Sequence, residues 1–336
     1  MKIAILAHQK FPIRPPFVGG LERFTYDLVM GLQKFNIDVT LFGHKDSSPE
    51  LNLCSNWRKY NWLSDVQEYE QYSQLVDCIA KGEFDLVHDN SLGHGAILLQ
   101  DKLKCPLVTT LHVPPMPVLK EAIDKRIDGH YVSVSKCNAK SWGLEDKCTI
   151  IPNGVNTNVF KYCPFYHEDY VVWSGRICPE KGTHYAIEAA LKAGVNLVIA
   201  GHIFNQEYYE EKVKPFIDNN QIKYIGHLGR NDLVKLLQGA FATLFTSIWD
   251  EPFGLVIIES LSCGTPVIGF NSGAIEEILT DDTGIIVNKE DVNSLAKSIT
   301  KAKDLFCYSC RKLVIDKFSI ESMTVSYINK YIEIIG

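Results

Sequence analysis

The feature that most constrains this chain is an alternation of short apolar runs with longer amphipathic stretches, which runs once through the first half and starts again in the second. The first series of runs covers 2–7, 38–42, 86–89, 107–111, 131–134 and 149–151. Between them lie stretches such as 21–35, where Phe24, Leu28 and Leu32 recur at helical spacing, and 66–80. Short apolar runs bounded by turns read as strands buried on both faces, and strands joined by helices are parallel. The alternation is interrupted at 153–169, where Pro152-Asn153-Gly154 and Pro164 are turn punctuation. It resumes with strands expected at 170–173, 196–200, 223–225, 242–245, 266–269 and 285–287, and 320–335 reads as a helix with no strand after it. The expected fold is α/β, with two Rossmann-like parallel-sheet domains. Open parallel sheets place ligands at the carboxyl ends of their strands, so two of them point to a site in a cleft that both domains face.

The bulk numbers agree with two folded domains. The 336 residues exceed what one hydrophobic core usually organises, and 46% hydrophobic with 22% charged residues is ordinary for globular chains. A net charge of −6 without a Lys/Arg block argues against nucleic acid as a partner. The apolar start Ile3-Ala4-Ile5-Leu6-Ala7 is cut short by His8, Gln9 and Lys10, which suits a first buried strand better than a signal peptide. No run approaches the roughly 20 apolar residues of a membrane span. The expectation is a cytoplasmic protein, with peripheral membrane contact left open. Ten scattered cysteines suit a reducing compartment, and Cys307-Tyr308-Ser309-Cys310 lacks a second pair at zinc spacing.

Two segments carry chemistry. The expected strand at 170–173 runs into Ser174-Gly175-Arg176-Ile177-Cys178-Pro179-Glu180-Lys181-Gly182 and then a helix. Cations and glycines at a strand's carboxyl end, close to a helix start, suit a diphosphate: Arg offers a fork, Lys a point charge, glycine a close backbone. Read alone, the same loop also suits a solvated turn whose cations pair with surface acids. The second segment, Asp250-Glu251-Pro252-Phe253-Gly254-Leu255-Val256-Ile257-Ile258-Glu259, sets Glu251 at an expected helix start and Glu259 among apolar residues inside it. A carboxylate so placed needs a partner or a ligand. Eight helical residues span ~12 Å, roughly the reach from a ribose across a diphosphate to a sugar, with Glu251 itself expected outside the regular helix. Stabilisation of the helix start by Glu251 and a salt bridge at Glu259 are the plain alternatives.

The ordered set Gly175-Arg176, Glu180-Lys181-Gly182, Glu251 and Glu259 with seven residues between them, and Gly264-Thr265-Pro266-Val267 resembles the retaining glycosyltransferases of family 4, which have the GT-B fold. The likeness extends to Gly19-Gly20-Leu21-Glu22, Leu111-His112, Val134-Ser135 and Ile151-Pro152-Asn153-Gly154-Val155. It implies an N-terminal acceptor-side domain over 1–155, a C-terminal domain binding a nucleotide sugar over 156–318, and over 319–336 a C-terminal helix that can return to the N-terminal domain. By the same resemblance Arg176 and Lys181 hold the donor diphosphate and Glu259 the ribose. Glu251 contacts the sugar near its reacting carbon, with the backbone at Phe253, Gly254 and Leu255 beside sugar and phosphate. Gly20 brings a helix start to the donor, and His112 sits at the sugar. Where many relatives carry Asp, this chain has Asn156 in the segment joining the domains. The donor implied is a nucleotide-diphosphate sugar, UDP favoured, carrying a hexose or N-acetylhexosamine. The acceptor is a hydroxyl compound, soluble or lipid-linked, which the proline-rich 11–18 region would meet.

No cofactor or metal is expected, because Arg176, Lys181 and helix amides can offset the leaving charge and no Asp-x-Asp pair appears. Rival readings weigh less. A glycoside hydrolase would use two carboxylates but leaves Arg176 and Lys181 idle. A dehydrogenase fingerprint after 86–89 is incomplete, since Leu98 stands in place of the third glycine. A nucleotide-sugar epimerase of similar build is the runner-up, and an inactive nucleotide-sugar sensor is the rival from outside enzymology.

Overall fold

The computed structural model describes residues 1–55, 65–164, 169–305 and 307–336, so residues 165–168 of the expected connecting stretch lie outside the described residues. The chain divides into two compact units, Met1–Gly154 with Ile320–Gly336, and Val155–Ser319.

The first unit is built on a parallel sheet of seven strands: β1 (Lys2–Ala7), β2 (Asp38–Phe42), β3 (Leu53–Cys54), β4 (Leu86–Asn90), β5 (Leu107–Leu111), β6 (His130–Ser133) and β7 (Cys148–Ile150). Their spatial order is β3-β2-β1-β4-β5-β6-β7, with every pairing parallel. Every residue of β4 and β5 is buried, as expected for central strands covered on both faces by helices. Strand β3 escapes a reading by periodicity because two residues carry no period.

Helix Gly20–Lys34 buries Phe24, Leu28 and Leu32, the spacing read from the sequence. Against it packs the terminal helix Ile320–Ile335, which buries Met323, Tyr327 and Tyr331. Tyr331 Oη lies 2.6 Å from His88 Nδ1, and Thr110 Oγ1 lies 2.7 Å from His88 Nε2. Burial pulls the His88 imidazole down to about 3, so it is a neutral part of the core.

The second unit holds β8 (Tyr170–Ser174), β9 (Asn196–Ala200), β10 (Ile222–Tyr224), β11 (Ala242–Phe245), β12 (Val267–Phe270) and β13 (Gly284–Val287). These six strands form a parallel sheet ordered β10-β9-β8-β11-β12-β13. Sequence order runs outward from β8 on one side and from β11 on the other. The β8/β11 pair is therefore the switch point of this sheet, as β1/β4 is of the first, and ligand sites of open α/β sheets form at such points. Among the described residues no helix is long and apolar enough to cross a membrane.

Candidate functional site

In the second unit, three loops leave the carboxyl ends of neighbouring strands β8, β11 and β12. The β8 loop contains a 3-10 turn, Pro179–Lys181, and then Gly182, from which helix Thr183–Ala193 departs. Gly182 has φ +64°, and a Cβ there would lie 2.2 Å from the carbonyl oxygen of Thr246 in the β11 loop. Only glycine permits that approach. The Thr246 hydroxyl lies 2.9 Å from Gly182 O, Trp173 Nε1 donates to Thr246 Oγ1 at 3.0 Å, and Ile248 N–H donates to Glu180 O at 2.9 Å. The loops after β8 and β11 are thereby fixed to each other.

This lock brings Lys181 onto Glu251, seventy positions away, where Nζ contacts Oε1. Ser247 Oγ lies 3.3 Å from the same carboxylate oxygen, and Glu251 is 6% exposed. Burial, reinforced by the Arg176 cation, draws the Lys181 ammonium down to about 8 against the opposing pull of Glu180, which leaves it mostly a cation at neutral pH. Arg176 is exposed, and its guanidinium lies over the Phe204 ring, 4.8 Å from the centroid. Two cations thus gather at the switch point, Lys181 half-buried and Arg176 exposed, with Glu251 in contact with Lys181 and Glu180 near both.

Helix Leu255–Cys263 begins after Gly254, which has φ +95°. An α-helix leaves its first amides without intrahelical partners, so the Gly254–Leu255 end is an anion-seeking edge. Phe253 is buried and stacks edge-on to Phe318, with centroids 6.0 Å apart. The expectation that the helix starts beside Glu251 is corrected here. The left-handed Gly254 sets the start four residues later, so Glu251 lies outside the first turn and cannot act there as its cap. The interval from Glu251 to Glu259 is accordingly part loop and part helix, in line with the expectation that Glu251 lies outside the regular helix. Glu259 falls on the buried part of that helix, 7% exposed.

The loop after β12 completes the group. Gly273 has φ +60°, and a Cβ there would meet Glu251 O at 2.2 Å. Ala274 N–H donates to Glu251 O at 3.1 Å, and Lys289 Nζ holds Asp250 at 3.0 Å. Sequence reasoning singled out Glu251 but not Ser247, four residues before it in the same loop, or Gly273, which strand adjacency brings to its backbone.

In the first unit, His112 follows β5 directly. Its Nε2 lies 2.8 Å from Asn90 Oδ1 at the end of β4, and its ring meets Phe24 edge-on, with centroids 4.4 Å apart. Burial and the nearby His8 imidazole pull His112 down to about 3, which leaves it a neutral hydrogen-bonding group at physiological pH. Gly20 is the exposed first residue of helix Gly20–Lys34. His8, past the end of β1, approaches the buried Glu22 at 2.7 Å, a pair that sequence reasoning did not assemble.

Residues 156–305 match the sequence model of the family described as Glycosyl transferases group 1, and residues 18–159 match that of Glycosyltransferase Family 4. An uncharacterized glycosyltransferase of Methanocaldococcus jannaschii is 26% identical over 84% of this chain and 84% of its own length. Glycogen synthase of Mycobacterium tuberculosis is 26% identical over 65% of this chain and 59% of its own. Among solved structures, AviGT4, a glycosyltransferase involved in avilamycin A biosynthesis, superimposes with a TM-score of 0.77 at 21% identity, covering 100% of this chain and 98% of that one. HepE of Anabaena, in complex with UDP-glucose, gives 0.77 at 19% identity, covering 99% and 100%.

Proposed function

The chain belongs to the family-4 glycosyltransferases, enzymes of the GT-B fold, and from that premise we propose that it moves a hexose or N-acetylhexosamine from a nucleotide-diphosphate sugar to a hydroxyl acceptor with retention at the anomeric carbon. The observation that carries the donor assignment is the gathering of the half-buried Lys181 cation and Arg176 at the β8/β11 switch point. Glu251 takes up the Lys181 charge, but the exposed Arg176 guanidinium forms no ion pair among the described residues and is open to an anion. A diphosphate suits that place. UDP is the preferred nucleotide on the strength of the structural neighbour solved with UDP-glucose.

In this reading Arg176 and Lys181 hold the diphosphate, assisted by the backbone at Phe253, Gly254 and Leu255, and Glu259 takes the ribose hydroxyls. As the bond from sugar to phosphate lengthens, negative charge grows on the departing diphosphate, where the two cations and the helix amides stabilise it without a divalent ion. Glu251 faces the positive charge that grows on the sugar ring. Neutral His112 offers a hydrogen bond to a sugar hydroxyl, and Gly20 leaves room at its helix start for the donor. The acceptor, soluble or lipid-linked, gives up its hydroxyl proton to the departing diphosphate oxygen as the new glycosidic bond forms and the bond from sugar to phosphate breaks.

The test is incubation of the full chain with UDP-, GDP- and ADP-sugars in EDTA, with and without simple alcohols as acceptors. Slow release of sugar from one donor, and an alcohol glycoside that keeps the donor's anomeric configuration, are expected. Activity abolished by EDTA and restored by magnesium or manganese would overturn metal independence, and an inverted product would overturn retention.

A further inference from the structure

Two buried hydrogen-bonding atoms in these loops are left over by the contacts described above. Ser272 is 2% exposed, and its Oγ has no hydrogen-bond partner among the described residues. Trp249 Nε1 is likewise buried without a partner. Both belong to the loops around Glu251. Trp249 precedes it by two residues in the loop after β11, and its ring centroid lies 5.4 Å from Lys181 Nζ. Ser272 adjoins Gly273, whose missing side chain lets the loop after β12 rest on the Glu251 backbone.

Buried polar atoms are nearly always paired, so two of them left over in the two loops that meet at the Glu251 backbone mark a place completed by something outside the chain. The chemistry of the missing partner follows from the atoms themselves. An indole N–H only donates, whereas a serine hydroxyl both donates and accepts. Neither carries charge, and the two cations already serve an anion. A neutral group that accepts one bond and exchanges another is a sugar hydroxyl. We propose that Trp249 Nε1 and Ser272 Oγ hydrogen-bond the hydroxyl groups of the donor sugar and set which sugar this chain accepts. The inference rests on the reading of Glu251 as the carboxylate that faces the sugar.

It is tested on the full chain by calorimetric titration with whichever of UDP, GDP or ADP binds, and with the glucose, galactose and N-acetylglucosamine derivatives of that nucleotide. The proteins compared are wild type, Ser272→Ala, Ser272→Thr and Trp249→Phe. Loss of one neutral hydrogen bond corresponds to a factor of roughly three to ten. In Ser272→Ala and Trp249→Phe, the ratio of sugar-nucleotide Kd to nucleotide Kd for the preferred sugar should rise by that factor, with the nucleotide Kd unchanged. Ser272→Thr, which keeps the hydroxyl, should retain the wild-type ratio. A ratio that does not move, or nucleotide and sugar-nucleotide affinities that weaken in parallel, overturns the inference alone. Absence of nucleotide binding in the wild type overturns the donor assignment together with it.

Discussion

Lys181 has a lowered affinity for its proton in the free protein, and this makes a pH dependence the first consequence at the level of single residues. In the proposed reading the charged form holds the diphosphate, and deprotonation through about pH 8 removes that charge. A bound diphosphate raises the proton affinity of the ammonium, so nucleotide affinity should fall by about twofold between pH 7 and 8 and by about tenfold at pH 9. Lys181→Arg should flatten the profile, since guanidinium stays protonated throughout. Calorimetry across that range decides it, and an identical slope in both proteins would remove Lys181 as its source. Glu251 and Glu259 should fail differently. Glu251→Gln frees Lys181 from its carboxylate, so free-nucleotide affinity should not fall, while kcat should drop because the lost contact strengthens as charge grows on the sugar. Glu259→Gln should mainly weaken free nucleotide. Parallel loss of nucleotide binding in both variants would contradict this division. The two glutamates and the two cations are legible in the sequence as spaced motifs. The contact between Lys181 and Glu251 is not, because it depends on the approach of Gly182 to Thr246 across two strands.

Among the elements, strands were the more legible because buried parallel strands are written as continuous apolar runs, and β2, β5, β9 and β11 occupy the residues expected. The start of helix Leu255–Cys263 was misplaced because Pro252 looks like a first-turn proline, whereas the left-handed Gly254 interrupts the helix behind it. Close approach through glycine gives an element-level prediction. Gly182→Ala forces a Cβ into the Thr246 carbonyl at a positive φ, a strain of about 1–3 kcal/mol. For a unit of this size it should lower the unfolding midpoint by several degrees, at about 2–4 °C per kcal/mol, and weaken nucleotide binding. The terminal helix offers a second case. Tyr331→Phe leaves His88 Nδ1 buried without its partner, at a cost of about 1–3 kcal/mol to the first unit, and should leave nucleotide affinity untouched. Thermal denaturation read together with calorimetry separates the two variants, and loss of nucleotide binding in Tyr331→Phe would show that the terminal helix does more than support its sheet.

For the whole molecule, a repeated β/α series was enough to specify two parallel sheets, since that alternation admits few other packings. Strand order within each sheet was not written in any local pattern, and strand order is what places the loops after β8, β11 and β12 side by side. The central claim is that the β8/β11 switch point of the second unit holds a nucleoside diphosphate through Arg176 and Lys181. The direct measurement is calorimetric titration of UDP, GDP and ADP into wild type and into Arg176→Ala/Lys181→Ala, in EDTA. One nucleotide should bind the wild type, and the double variant should lose at least ~2 kcal/mol, about thirtyfold in Kd, since a charge-assisted bond contributes roughly 1.5–3 kcal/mol. Equal affinity in the two proteins would contradict the claim.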